Sequence, residues 1–521
     1  MFKLLIMRNI YLLILLLLPY GVLAQSNFTD VNRVKATLFP TGALFYSGTS
    51  SGLEVPRGSG LTTVFAANLW VAGYDRLGTL HTAAQAYGQT ADGGPGFSIG
   101  PWATSGAYSG AQLNSFFNRT WKFKASDIDS FRLNVGQPGY RVPTTFGNYP
   151  GTGDTTKGVS YRLAPYHDTN QDGKYDTANA DFPVMRGSQS VYALSSDTRV
   201  VSTSNNIATD FNFHTQLYAF NQPGVDSSLA YTVFVQYRIE NRSDKTYDSL
   251  YLGHWSDMDL GNYADDFIGS DPARAMFYTY NADNDDETTA SGYGAAPPAQ
   301  AVVFLSHNMS RFVYYNNDTS NNGDPVTPLQ RYRYMTGKFK DGNNRPANYA
   351  FDGNPVEGTG ANEVTLGNTA GDRRGLGIIG PVLLEAGESF CFDVAYVYAR
   401  GTSNLNSITA LKSRVDQIRS FYQNQNAGCE NYFTAVLENQ QELQAHFFPV
   451  PFDTELKIRV DVTNSPTRYE LVDLQGRVIR AGTVAAGDHE ISLSTSDLAP
   501  GLYVARLTQG QKLAFRKLIK N

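Results

Sequence analysis

The sequence predicts an all-β protein, and three observations carry that reading. Its 48 Gly, 32 Tyr and 30 Phe against 17% charged residues fit short strands joined by tight turns better than helices or disorder. Segment after segment alternates apolar and polar residues: in "YTVFVQYRIEN", Tyr231, Val233, Val235, Tyr237 and Ile239 share one face, and Thr232, Gln236, Arg238 and Glu240 the other. Turn signals separate these runs. The 521 residues are too many for one core. The expected architecture is a main body of one or two β-sandwich or jelly-roll-like domains, followed by a C-terminal Ig-like β-sandwich.

The N-terminus stands outside the fold. Lys3 and Arg8 precede the apolar run "IYLLILLLLPYGVLA", which is shorter than the ~20 residues of a membrane span and has no stop-transfer flank. Residues 1–24 therefore read as a secretory signal peptide. Val22 and Ala24 supply the small residues for cleavage between Ala24 and Gln25. No later stretch approaches that length of apolar sequence, so the mature chain is expected to be exported and to carry no membrane span. Its formal net charge is −6, and Lys and Arg are scattered singly, so no basic stripe exists for nucleic acid.

The main body spans residues 25–438. "VFAANLWVAGYDRLGTLHTAAQAYG" reads as a hairpin turning at Asp75-Arg76-Leu77-Gly78. Gln137 to Gly158 is rich in Gly, Pro and Thr and is a linker or a long surface loop, with a possible subdivision of the body near 137–190. "SFCFDVAYVYAR" is apolar on both faces apart from Asp393, as a central strand requires. One helix stands out at about 407–422, where Ile408, Leu411, Val415, Ile418 and Tyr422 recur at helical spacing; it is expected to pack across the end of a sheet. Cys391 and Cys429 are the two cysteines of an exported chain and are expected to form a disulfide closing a loop of about 38 residues.

Two acidic segments are candidates for chemistry. Calcium takes six to eight hard oxygen ligands, and a loop offers them when alternate side chains are carboxylates or amides and a Gly allows a sharp turn. "DTNQDGKYD" does so with Asp168, Asn170, Asp172, Gly173, the backbone carbonyl of Lys174, and Asp176. The twelfth position is Asn179 instead of a bidentate Glu, and the Pro-containing flanks lack helical periodicity, so this is a calcium loop without an EF-hand helix pair, completed by Asp181. The other reading is an Asx-rich turn bonding its own backbone. In "HWSDMDLGNYADDFIGSD", Asp257 and Asp259 share a face if the strand continues, and Asp265 and Asp266 return after a Gly-Asn turn. That cluster is a second calcium site, a solvated loop, or the carboxylate pair of a hydrolase acting on glycans. The seven His show no paired zinc spacing, and no phosphate-cradling loop or nucleophile elbow followed by a helix occurs.

From Phe447 the text changes to short alternating runs: "FPVPF", "YELVDLQGRVIRAG", "LAPGLYVARL" and a terminal "RKLIKN". These blocks, in this order and spacing, resemble the C-terminal sorting domain of the type IX secretion system of Gram-negative bacteria, with Val450 where that family usually has Asn. The resemblance covers residues 447–521, preceded by a linker at 439–446. It implies a β-sandwich, the type IX translocon as partner, and a protein released from the cell or held on its outer surface. Blocks of the body such as "YHDTNQDGKYD" and "GHWSDMDLGNYADDFIGSD" resemble large exported proteins carrying the same domain, and bring no activity with them. The expectation is a surface or secreted protein with a structural or binding role toward a glycan or protein ligand, stiffened by calcium. The alternative is a secreted hydrolase using Asp257 and Asp259.

Overall fold

The structure, a computed structural model, describes residues 25–46, 52–84, 86–87, 97–197, 207–221, 228–423, 445–460, 466–472, 478–487, 490–509 and 512–521. The signal peptide, with Ala24, lies outside the described residues, as does Cys429; Gln25 is the first described residue. The chain divides into two compact units, residues 1–436 and 437–521.

Two antiparallel sheets build the first unit. In the larger, nine-stranded sheet the order runs Asp266–Asp271, Met276–Asn281, Ala299–Phe304, Ser389–Ala399, Thr232–Asn241, Phe211–Ala219, Gln189–Ser196, and then Ser98–Ile99 and Trp121–Lys124, which both pair with Gln189–Ser196. The five-stranded sheet runs Arg311–Asn316, Arg373–Leu384, Tyr247–Asp257, Ala66–Tyr74, Leu80–Ala84. The last two strands are the hairpin expected from sequence, with Trp70 opposite Ala84. Alternation decides what fills the sandwich: Val233, Val235, Tyr237 and Ile239 pack in one cluster with Val71, Leu250 and Leu252 of the smaller sheet. A polar bridge crosses this interior, where Tyr396 hydroxyl meets His254 Nε2 at 2.5 Å and Ser256 Oγ at 2.8 Å, all three residues being buried.

The helix extends over Asn404–Gln423 and covers the outer face of the nine-stranded sheet, not its end. The strand Ser389–Ala399 explains why. Its Phe392, Val394 and Tyr396 face the sandwich interior, which leaves Ala395, Val397 and Ala399 on the outer face, and Ile408, Leu411, Val415 and Ile418 cover them. On the opposite side of the sandwich the smaller sheet's outer face carries Trp70 and Trp255, stacked at 6.3 Å, capped by the helix Pro328–Met335 through Tyr334 and Met335. The Gly/Pro/Thr-rich stretch after Gln137 contributes Phe146 and Tyr149 to a core around Trp121, Phe123 and Phe131, and so belongs to the packed body of the first unit.

The second unit is a small β-sandwich. Three strands, Ala445–Phe448, Glu455–Val460 and Glu490–Ser494, form one sheet; four, Val478–Val484, Thr467–Val472, Gly501–Gln509 and Lys512–Lys520, form the other. Phe452, Leu456, Ile458, Leu471, Leu507 and Leu518 fill its core. Lys520 is buried and its Nζ donates to Asp453, which ties the terminal strand to the loop after the first.

Candidate metal centre

Asp257 ends the strand Tyr247–Asp257, the central strand of the five-stranded sheet. Register places it between Ala66, the first residue of one neighbouring strand, and Arg374, the second residue of the other. Asp259 follows two residues on, and Asp372 precedes the strand Arg373–Leu384. One carboxylate oxygen from each of Asp257, Asp259 and Asp372 lies within 4.8 Å of the others. Asp257 is 2% exposed. Its Oδ2 accepts from Tyr87 hydroxyl at 2.9 Å and from Arg374 Nη2 at 3.3 Å, whereas its Oδ1 and Oδ1 of Asp259 are buried and receive no hydrogen bond. Arg374 also donates to Asp372, whose second oxygen accepts from Asn317 Nδ2 at 2.9 Å.

The electrostatics follow from this crowding. Burial raises the Asp257 carboxyl to about 7, against the pull of Arg374. Burial raises Asp259 well above the carboxylate range too, and the charges of Asp257 and Asp372 add to it. Three carboxylates and one guanidinium sum to −2 when ionised. An oxygen-only donor set of that charge suits a hard divalent cation.

The structure separates the other members of this acidic segment. Asp266 is fully buried, its Oδ2 accepting from Leu260 N at 2.9 Å and its Oδ1 receiving no hydrogen bond. Asp265 gathers instead with Asp286 and Glu287, again within 4.8 Å, and is raised to about 7 by burial first. Asp286 itself is held by Asn262 N at 3.0 Å and Tyr293 N at 2.6 Å.

In the loop "DTNQDGKYD", Asp168, Asp172 and Asp181 converge within 4.8 Å. Asp168 Oδ2 accepts from Gly173 N at 2.8 Å, and its Oδ1 is buried without a hydrogen bond. Gly173 has φ +79°, the left-handed turn that a Gly permits. Asp181 is fully buried and clamps the loop, accepting from Thr169 N at 2.7 Å and Asp176 N at 2.9 Å. Asn170 Nδ2 donates to Asp172, and Lys174 N donates to Asp172 Oδ1 at 2.8 Å. Asp176 turns to cap the next short 3-10 turn through Ala178 N. Cys391 is 8% exposed on its strand, and its expected partner lies outside the described residues.

Asp372, Arg374 and Tyr87 were not singled out by sequence reasoning. The signal that could have found Asp372 and Arg374 is "GDRRGLGIIG", an Asp and two Arg directly ahead of an apolar, Gly-spaced run that must sit deep in a sheet; no comparable signal marks Tyr87.

The C-terminal unit has the strand order and spacing already described, and residues 446–521 match the family model of the secretion system C-terminal sorting domain. The C-terminal unit is a sorting domain. It makes the protein a secreted or outer-surface protein of a Gram-negative bacterium, recognised by the type IX secretion system. Among described residues, no helix is long and apolar enough to cross a membrane. No curated protein matches the chain. Similar solved structures include a polysaccharide lyase (7% identity, 63% of this chain and 39% of that chain, TM-score 0.21) and the BSP domain of a biofilm-associated protein (9%, 64% and 60%, TM-score 0.13). A third is dimeric latent PorU from Porphyromonas gingivalis (10%, 91% and 42%, TM-score 0.13). The chain thus spans less than two thirds of each, and likenesses at these TM-scores carry no argument about this protein.

Proposed function

We propose that the first unit is a non-catalytic structural or ligand-binding component of the cell surface or its surroundings, with strand ends and loops held by calcium. The observation that supports this reading most is the Asp257, Asp259 and Asp372 cluster. Two of its oxygens are buried without any donor, and its charge of −2 is closed by one divalent cation. An unpaired buried charge is costly, so a group of this kind is either protonated or cation-bound. The loop of Asp168, Asp172 and Asp181 has the same chemistry, oxygen donors only and one buried oxygen without a donor. Outside the cell, calcium sites of extracellular modules fill at about 10⁻⁴ to 10⁻³ M.

Hydrolysis is the weaker reading. An acid and a nucleophile must face a substrate between them, but Asp257 is 2% exposed and one of its oxygens is already taken by Tyr87 and Arg374. The experiment is a thermal melt of the mature chain in calcium and in chelator. A higher midpoint in calcium is expected; identical midpoints would remove the cation reading.

A further inference from the structure

Beside the carboxylate cluster lies an open cleft of about 450 Å³, within the size range of small-molecule sites. Tyr314, Asn316, Asn317, Asp318, Thr369 and Asp372 contribute to its wall. Asp372 is common to the cleft and the cluster. We propose that the cleft binds a neutral glycan, with a vicinal diol completing the coordination of a calcium ion held by Asp257, Asp259 and Asp372; this rests on the cation reading above.

Five features of the site carry the inference. Calcium takes six to eight oxygens, and the cluster offers one from each of three residues, so coordination positions remain for a ligand with two adjacent hydroxyls. Asn316 is part of the cleft wall and its Oδ1 receives no hydrogen bond within the protein, so a turn of its side chain brings an uncommitted acceptor to a sugar hydroxyl. The ring of Tyr314 is backed by Phe351 at 4.5 Å, giving the cleft one fixed aromatic face. The remaining named wall residues are amides, a hydroxyl and carboxylates, which suit hydroxyl groups and not an apolar ligand. Among the described wall residues the one basic side chain, Arg373, is paired with Glu363 at 3.1 Å, and the carboxylates Asp318 and Asp372 on the same wall repel an anionic ligand.

The test is retention of the full mature chain on immobilised neutral oligosaccharides and on uronate oligosaccharides, each in calcium and in chelator. Asn316→Ala alters the cleft alone, and Asp259→Asn alters the cluster alone. We expect a neutral oligosaccharide to be retained in calcium and released by chelator. Affinity should fall about tenfold or more in Asn316→Ala, which keeps the calcium-dependent rise in melting, and should vanish in Asp259→Asn. If Asn316→Ala melts well below the wild type, Thr369→Ala, also on the cleft wall, replaces it. Failure to retain any neutral oligosaccharide, or retention indifferent to calcium and to the cleft variants, overturns the glycan site while the calcium-dependent melting survives. Retention on uronates alone also overturns it. Loss of the calcium effect on melting overturns the cation reading as well.

Discussion

Asp259→Asn separates a cation site from an ordinary buried acidic network, because the two readings give opposite signs. Asp259 is surrounded by like charge, with Asp257 and Asp372 within 4.8 Å and Asp266 nearby. With no cation, its charge is a source of repulsion, so replacing it by the isosteric amide leaves the protein at least as stable as the wild type. With calcium, the same change removes a ligand. A site of Kd ~10⁻⁴ M in 10 mM calcium is at ~100-fold saturation and contributes ~2.7 kcal/mol. A unit of roughly 400 residues unfolds with an entropy near 0.8 kcal/mol per kelvin, so one site raises the midpoint by ~3 °C and two sites by ~6 °C. The assay is calorimetry of the wild type and Asp259→Asn at pH 8, on the alkaline side because burial raises both Asp257 and Asp259 and protons compete with the cation for them. The expected result is a crossing: the variant melts at or above the wild type in chelator and ~3 °C below it in calcium. A variant that melts below the wild type by the same margin in both conditions refutes the argument.

Three further outcomes follow from the same geometry. Asp172→Ala, on an exposed loop side chain, should leave the midpoint in chelator unchanged and remove the Asp168 loop's share of the calcium rise, read by the same calorimetry. His254 is fully buried, and burial lowers it to about 3 from an ordinary 6.5, so the unfolded state takes up a proton that the native state refuses. Its contribution is complete above pH 6.5 and is lost as pH falls toward 3, at about 1.4 kcal/mol per unit; between pH 6.5 and 5 the wild type should lose ~2 kcal/mol more than His254→Gln in urea unfolding. Leu411, fully buried between the helix and the nine-stranded sheet, should cost ~2–5 kcal/mol as Leu411→Ala in the same assay.

What the sequence made legible, and what it hid, divides along physical lines. Period-two alternation made the strands readable, and the double-sided apolar text of "SFCFDVAYVYAR" marked a strand covered on both faces. Which element covered the outer face was not readable, because pairing the strand with Thr232–Asn241 and Ala299–Phe304 is a long-range choice. Among the described residues four short helices escaped notice, Ala125–Asn134, Thr144–Gly147, Gly110–Phe117 and Pro328–Met335, although the last two carry a capping box, Ser109 with Gln112 and Thr327 with Gln330. At eight residues each, these two have too few turns to show an apolar stripe. The Asp168 loop could be assembled locally because its three converging carboxylates lie within fourteen positions of one another. The second acidic segment could not. Its spacing suggests one cluster, yet the fold sends Asp257 and Asp259 to Asp372 and sends Asp265 to Asp286 and Glu287.

The partners of Asp257 also indicate what its cluster does for the fold. Tyr87 follows the hairpin's second strand, Asp257 ends the sheet's central strand, and Asp372 and Arg374 straddle the start of its neighbour, while Asn317 adds the loop after the edge strand. Four segments distant in sequence are thereby tied at one end of one sheet. Burying carboxylates there costs stability that apolar side chains would not, since the desolvation of ions outweighs much of their attraction. On the proposed cation reading, the arrangement loses stability without the ion and regains it with one, so the end of the sheet is expected to be conditional on calcium. The cleft wall includes Asn316 and Asn317 at the end of the edge strand and Asp372 at the start of its neighbour. If the proposed ion sits there, it also orders that wall, so calcium is expected to govern ligand binding through the shape of the cleft even at residues that never touch the metal.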